Sequence, residues 1–516
     1  MADEREISIK AAPAAVAALR ARLLKRPGAE TVSLYSAYYD TADGLLGANR
    51  IAFRVRKGDG DVYIQTIKTA APADQPFKRG EIEQPLADER PEIGALQAVL
   101  APDQFRAVEQ AGLAQRYATI FDRTRAPLSG LDRSGEAFTA ELALDVGRIE
   151  AGDRILPISE LEVELKAGSS AALFEVAKAW VGGGVAGIQV TSKGARAEQA
   201  LSGAAPSVAY ARSFTPDPKA SALASFGQMA QDCIDQWTLN LPNLTETGDV
   251  EAVHQARVAI RRLRSLLVVF APIIATDAAA ADLAALKRAF LMLGDIRNID
   301  VLAAETLPLL MASGFDPRDG ARVQAALARR REALWRAAVE RIDGPGHTRM
   351  LLGLAGWLEG DLWQAEAEPV QRLWRQRPLG PFAAQRLDRA HRKARKAAKR
   401  AEAGAIADWH NLRIDLKKLR YAAEFFGGLY PADAARPYVR ALRTLQDDLG
   451  RLNDLEVAQA TLLASGRAAA APDRAAFGRV ALYAQAYLAG ASSGATGALA
   501  RKWRAFAKID PFWRED

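Results

Sequence analysis

Glu160-Leu161-Glu162-Val163-Glu164-Leu165-Lys166 alternates charged and apolar residues without a break. Period-two alternation predicts a β-strand with Leu161, Val163 and Leu165 on one face and three carboxylates and a lysine on the other. The same pattern surrounds it. Glu4, Glu6, Ser8 and Lys10 share one face of a strand, as do Arg54 and Arg56, Thr66 and Lys68, Arg79, Glu81 and Glu83, and Arg123 and Arg125. Short alternating runs at Ile51–Arg56, Asp61–Lys68, Gly80–Gln84, Phe138–Asp145 and Ile158–Lys166 are separated by turn-like clusters. Helical patterns intervene near Ala14–Leu24, Ile93–Leu100 and Ala171–Val181. Residues 1–201 therefore read as α+β with a largely antiparallel sheet. Two forms fit the alternation: an open sheet with one wet face, or a barrel with its polar face inward.

Outward from this sheet the character of the chain changes. Residues 202–217, with Pro206 and Pro216, read as a linker. From 218 to 516 the pattern is helical and rich in Ala, Leu and Arg, with breaks at Asp316-Pro317, Gly344-Pro345-Gly346 and Tyr430-Pro431. Charge follows the same division. Residues 1–205 carry 25 Lys+Arg against 28 Asp+Glu, and the rest carries 44 against 34, so a net of −3 faces a net of +10. One cysteine, Cys233, excludes a disulfide scaffold and a multi-cysteine zinc site. The charged start and the shortness of the most apolar stretch, Ser265–Thr276, predict a cytoplasmic protein with no membrane partner.

The helical part repeats itself. His254-Gln-Ala-Arg257-Val-Ala-Ile-Arg261-Arg262-Leu-Arg264 returns as His410-Asn-Leu-Arg413-Ile-Asp-Leu-Lys417-Lys418-Leu-Arg420, 156 residues later. Leu293-Gly294 through Asn298 returns at the same offset as Leu449-Gly450 through Asp454. Two motifs in one register predict duplicated helical units, halves about 218–375 and 376–516, packed as two pseudo-symmetric bundles. On a helix, His254, Arg257, Arg261 and Arg264 share a face, widened by Arg262, and the second copy does the same with Lys418. A third patch holds Arg392, Lys393 and Lys396 beside His391. His347, among glycines, reads as a loop residue. Stripes this basic either pair with acids across the bundle or bind a polyanion.

These paired motifs resemble the CHAD domain, the conserved-histidine α-helical domain, over roughly residues 218–510. The resemblance implies inorganic polyphosphate binding by His254, Arg257, Arg261, Arg262, Arg264, His410, Arg413, Lys417, Lys418, Arg420, Arg392, Lys393 and Lys396, in a protein associated with polyphosphate granules. It does not imply catalysis. Nucleic acid, the other polyanion, is disfavoured because aromatic stacking residues are sparse there, apart from Tyr421 and Phe425-Phe426.

Residues 4–200 resemble the CYTH domain, the triphosphate tunnel metalloenzyme family. The resemblance rests on Glu6-x-Ser8-x-Lys10, Tyr39-Asp40-Thr41, Phe53-Arg54-x-Arg56, Thr66-x-Lys68, Arg79-x-Glu81-x-Glu83, Asp145-x-Gly147, Glu160-x-Glu162-x-Glu164 and Ser192-Lys193-x-x-Arg196. It implies an eight-stranded antiparallel tunnel and hydrolysis of a triphosphate, inorganic triphosphate among the candidates, with Mg²⁺ or Mn²⁺. By that resemblance Glu6, Glu160, Glu162 and Glu164 are metal candidates, and Glu6, Lys10, Glu162 and Glu164 catalytic ones. Lys10, Arg54, Arg56, Lys68, Arg125 and Lys193 would bind substrate, while Lys166 or Arg196 would be structural. Ser8 departs from the family's Glu-x-Glu-x-Lys signature, and a hydroxyl is a poor substitute for a carboxylate at such an ion. Either a working triphosphatase or a binding-only tunnel fits this sequence.

Overall fold

A computed structural model describes residues 2–49, 51–57, 62–69, 78–212, 214, 216–360, 373–403 and 406–514. Among the described residues, nine strands form one antiparallel sheet: β1 Ala2–Ala11, β2 Glu30–Asp40, β3 Ile51–Lys57, β4 Tyr63–Thr69, β5 Lys78–Leu86, β6 Ala114–Leu131, β7 Ala137–Ala151, β8 Arg154–Ala167 and β9 Val185–Ile188. Their order is β5-β4-β3-β2-β6-β7-β8-β1-β9, and Ala2–Arg5 of β1 also pair with Lys78–Glu81 of β5. Of the expected eight-stranded antiparallel tunnel, the described residues show an antiparallel sheet in which β1 and β5 pair over four residue pairs. Two strands, β2 and β9, were not among those read from alternation. In β2, Ser36, Ala37 and Tyr38 are buried in succession, so no period of two survives.

Both faces of β8 are covered, for different reasons. Leu161 and Val163 are buried against the helix Ser170–Trp180, whose Leu173, Phe174 and Ala177 fill the other side of that core. The opposite face buries Glu160 and, nearly, Glu162. Burial of carboxylates requires charged partners. Gly147 permits the close approach behind this face: a Cβ there would lie 2.1 Å from the Ile120 carbonyl oxygen of β6. That approach holds Arg123 in register with Asp145.

The helical part begins with Ala222–Leu239 and ends with Ala471–Phe506. Its breaks fall where expected: Asp316 caps Pro317–Ile342, Gly344 precedes Pro345–Glu359 and Pro431 precedes Ala432–Ala468. The two basic helices are Val250–Phe270 and Ile406–Phe426, offset by 156 residues at both ends. Two bundles were expected, but their inner faces share one core. Phe270 packs on Phe382 at 5.0 Å and on Phe426 at 5.8 Å between ring centroids. Among the described residues, no helix is long and apolar enough to cross a membrane.

The sheet and the helices also share a face. Leu352 and Ala355, from Pro345–Glu359, belong to the core of Leu173, Phe174 and Ala177. The Gly187 amide donates to Thr348 Oγ1 at 2.7 Å, and Lys10 Nζ donates to Asp343 Oδ1 at 3.0 Å. The stretch read as a linker is partly docked too: Asn240 Nδ2 donates to the Ala209 carbonyl at 2.8 Å, and Phe214 packs on the helical core.

Candidate active site and basic helices

Register assembles the site. Arg123, Asp145, Glu160 and Lys10 are cross-strand neighbours on β6, β7, β8 and β1. One step along, Ser8 lies opposite Glu162, and one further, Glu6 lies opposite Glu164. Oxygens of Asp145, Glu160 and Glu162 come within 4.8 Å of one another. Lys193, the first residue of the helix Lys193–Ser202, reaches into them. Its Nζ lies 2.8 Å from Asp145 and 2.6 Å from Glu162, and it also contacts Glu160. Arg123 forks onto Asp145 at 2.8 and 2.7 Å and also contacts Glu162. Arg196 donates to Glu160 at 2.8 Å.

Electrostatics outweigh burial here. Burial alone would raise the Glu162 carboxyl, but Lys193 and Arg123 hold it well below the ordinary carboxylate range. Burial would lower Lys193, yet Asp145, Glu162 and Glu160 push it well above its usual value.

A cationic group stands on β3 and β4. Arg54 lies 3.5 Å from Glu81 and 3.9 Å from Glu83, and Lys68 lies 3.3 Å from Glu81. Burial, then the neighbouring Arg54, pushes Arg56 down to about 10. The Tyr38 phenol, a cross-strand neighbour of Arg54, stacks on Tyr117 at 4.5 Å. Burial would raise it, but Arg54, Arg56 and Lys193 lower it on balance. The two groups sense each other, since Lys68 helps depress Glu162 and Arg123 helps depress Arg56.

Most residues chosen from the sequence meet here: Arg54, Arg56, Lys68, Glu160, Glu162 and Lys193, with Glu6 close enough to raise Arg123. Others lie elsewhere. Lys10 turns to Asp343 of the helical part. Arg125 pairs with Glu30 at the exposed start of β2 at 2.8 Å, and Glu164 pairs with Lys166 at 2.5 Å. Arg123, Asp145 and Tyr38 are central but were not chosen as site residues. Asp145 was visible as the charge between Leu144 and Val146. Arg196, read as structural, completes the cluster.

The donor set fits a hard divalent cation, being three carboxylates on close, rigid strands.

In the helical part the two basic helices converge on one aromatic ring. The Arg261 guanidinium lies 5.6 Å and that of Arg420 4.8 Å from the Tyr421 centroid. Arg262 lies 5.9 Å from the Phe425 ring. Gly294, of the first Leu-Gly, lies against Arg257. A Cβ there would lie 2.6 Å from Arg257 Nη1, which instead donates to the Phe290 carbonyl at 2.7 Å. Burial, then Arg261 and Arg297, pushes Arg257 down to about 10. Burial, then Arg297, lowers His254.

The copies differ in compensation. Among the described residues, no carboxylate forms an ion pair with Arg257, Arg261, Arg262 or Arg264. In the second copy Lys418 pairs with Asp415 at 3.1 Å and Arg420 with Glu424 at 2.8 Å. The repeated Asp454 side chain lies outside the described ones. Arg392 lies 3.8 Å from Asp388, and Lys393 and Lys396 are exposed. His391 is buried, its Nδ1 2.7 Å from the Tyr438 hydroxyl. His347 is not in a loop but in Pro345–Glu359, against Trp237 at 5.4 Å.

Fold and site together define a curved antiparallel sheet with a charged interior, fused to a duplicated basic helical unit. Comparison with known families places a CYTH domain at residues 4–193 and a CHAD domain at 228–463, and the chain carries both. It is 31% identical over 147 residues to the inorganic triphosphatase of Haemophilus influenzae, which covers 28% of this chain and 40% of that protein. The chain thus spans less than half of that relative. It is also similar to the crystal structure of the CHAD domain from the plant Ricinus communis. That match is 28% identical with a TM-score of 0.50, covering 59% of this chain and 98% of the other.

Proposed function

We propose that the CYTH domain hydrolyses a triphosphate with a divalent cation, Mg²⁺ or Mn²⁺, and that the CHAD domain binds inorganic polyphosphate. The observation that carries this is the buried set Asp145, Glu160 and Glu162 facing Arg54, Arg56 and Lys68. The relative from Haemophilus influenzae, by its name an inorganic triphosphatase, supports the substrate class.

Asp145, Glu160 and Glu162, with Glu6 nearby, would hold the ion. When bound, such an ion neutralises phosphate charge and polarises the terminal phosphorus–oxygen bonds. Arg54, Arg56 and Lys68 orient the phosphate chain by charge-assisted hydrogen bonds. Glu81 and Glu83 serve as their counter-ions before the anion arrives. Burial of these groups excludes bulk water and strengthens each contact. In the CHAD domain, the uncompensated cations of the first basic helix favour a long polyanion, and those of the second copy extend the same surface.

A binding-only tunnel is the second reading. Ser8 favours it, since a glutamate there would stand beside Glu162. Phosphate release from inorganic triphosphate, nucleoside triphosphates and long polyphosphate, with Mg²⁺ and with Mn²⁺, decides. We expect turnover of one triphosphate by the wild type and higher turnover by Ser8→Glu. Turnover only in Ser8→Glu would establish the binding-only reading, and none in either protein would end the triphosphatase reading. Duplex DNA displacing polyphosphate from the full chain at equal phosphate concentration would overturn the polyphosphate reading.

A further inference from the structure

The carboxylate cluster already holds a cation, and it is part of the chain. Lys193 Nζ lies 2.8 Å from Asp145 Oδ2 and 2.6 Å from Glu162 Oε1 and also contacts Glu160. Mg²⁺ sits about 2.0–2.1 Å from its oxygen ligands. An ion bound to the same three carboxylates would overlap the ammonium, so the two occupants exclude each other.

Charge gives the same result. Three carboxylates, Asp145, Glu160 and Glu162, are matched by three cations, Lys193, Arg123 and Arg196. These six groups cancel, and Glu6, which acts on Arg123, adds one negative charge beside them. A divalent cation added to the cluster would still leave positive charge uncompensated in a buried place. Either an anion must enter with it or a resident cation must leave.

Lys193 is the cation able to leave. Arg123 is held on a central strand by a two-pronged contact with Asp145. Lys193 is a flexible side chain at the first position of its helix. A positive charge there opposes the helix dipole. Its place is therefore set by the carboxylates and not by the helix.

We propose that Lys193 is a displaceable counter-ion: the divalent cation takes its place among Asp145, Glu160 and Glu162, and the released ammonium becomes a phosphate ligand. Metal and triphosphate then bind cooperatively through one lysine, which pairs with the carboxylates in one state and with phosphate in the other. This deepens the triphosphatase reading and rests on it for the identity of the anion. It also accounts for a carboxylate cluster that is fully paired without metal.

The test uses the full chain and measures Mn²⁺ binding by electron paramagnetic resonance without triphosphate. Lys193→Met should bind Mn²⁺ at least tenfold tighter than wild type, and Lys193→Arg no tighter than wild type. Equal or weaker binding by Lys193→Met overturns the exchange. If Lys193→Met does not fold, the wild type itself decides. Reductive methylation read by mass spectrometry should label Lys193 poorly without Mn²⁺ and at least threefold faster with it. Unchanged or slower labelling overturns the proposal. Exchange without phosphate release would leave this inference standing and remove the triphosphatase reading. Phosphate release without exchange would do the reverse.

Discussion

Glu162 is where burial and charge compete most sharply. Its carboxyl is held well below the ordinary range because Lys193 and Arg123 outweigh desolvation. A depressed folded-state value means stability present above the unfolded value of about 4.3 and lost as pH falls below it. Glu162→Gln should therefore destabilise the protein by about 3 kcal/mol at pH 7, by leaving Lys193 and Arg123 less compensated in a buried site. The deficit should shrink as pH falls below about 4. Urea unfolding across pH 3–7 checks this, and a deficit independent of pH would refute it. Glu162 was legible in the sequence because alternation marks a face. Alternation does not say which charges on a face are enclosed. Arg123 and Arg125 look alike along β6, yet one forks onto buried Asp145 and the other meets Glu30 at the exposed start of β2. Lys10 stands opposite Glu160 in register, yet its side chain pairs with Asp343, 333 residues away.

The basic helices were the most legible elements, because spacing and repetition carry helical phase directly. Less visible was the inequality of the copies, which depends on acids from other elements. Among the described residues Arg261 has no acid partner, and it lies over Tyr421, whereas Lys418 is paired with Asp415 and half-exposed. An unpaired cation has more to gain from a polyanion than one that must first give up a carboxylate. Arg261→Ala should weaken polyphosphate binding about tenfold, the loss of one or two charge-assisted contacts. Lys418→Ala should weaken it less than about threefold. Isothermal titration with polyphosphate of defined length measures both, and equal losses would show that the asymmetry is not used. His391 marks the limit of stripe reading. It sits in a basic run, yet burial, then Arg395, pushes it down to about 4, and it serves the core through Tyr438.

Across the whole molecule, the −3 and +10 halves treat charge differently but are not independent bodies. The CYTH domain neutralises its cations internally, with carboxylates suited to a metal. The CHAD domain leaves cations open on its first basic helix. Their shared face is apolar at its centre, with Leu352 and Ala355 inside the core of Phe174 and Ala177, and polar at its edge, with Lys10 on Asp343. Domains joined by small polar contacts move and melt separately, whereas a shared apolar core couples them. The full chain should therefore unfold in one calorimetric transition. Gly356 tests the coupling directly, because a Cβ there would lie 2.9 Å from Phe174 Cβ. Gly356→Leu would force the helix Pro345–Glu359 away from the helix Ser170–Trp180, and overpacking of this kind costs about 1–3 kcal/mol. The expected result is two resolved transitions in place of one, with the secondary structure of each domain retained by circular dichroism. Two transitions already present in the wild type would show that the shared core does not couple the domains.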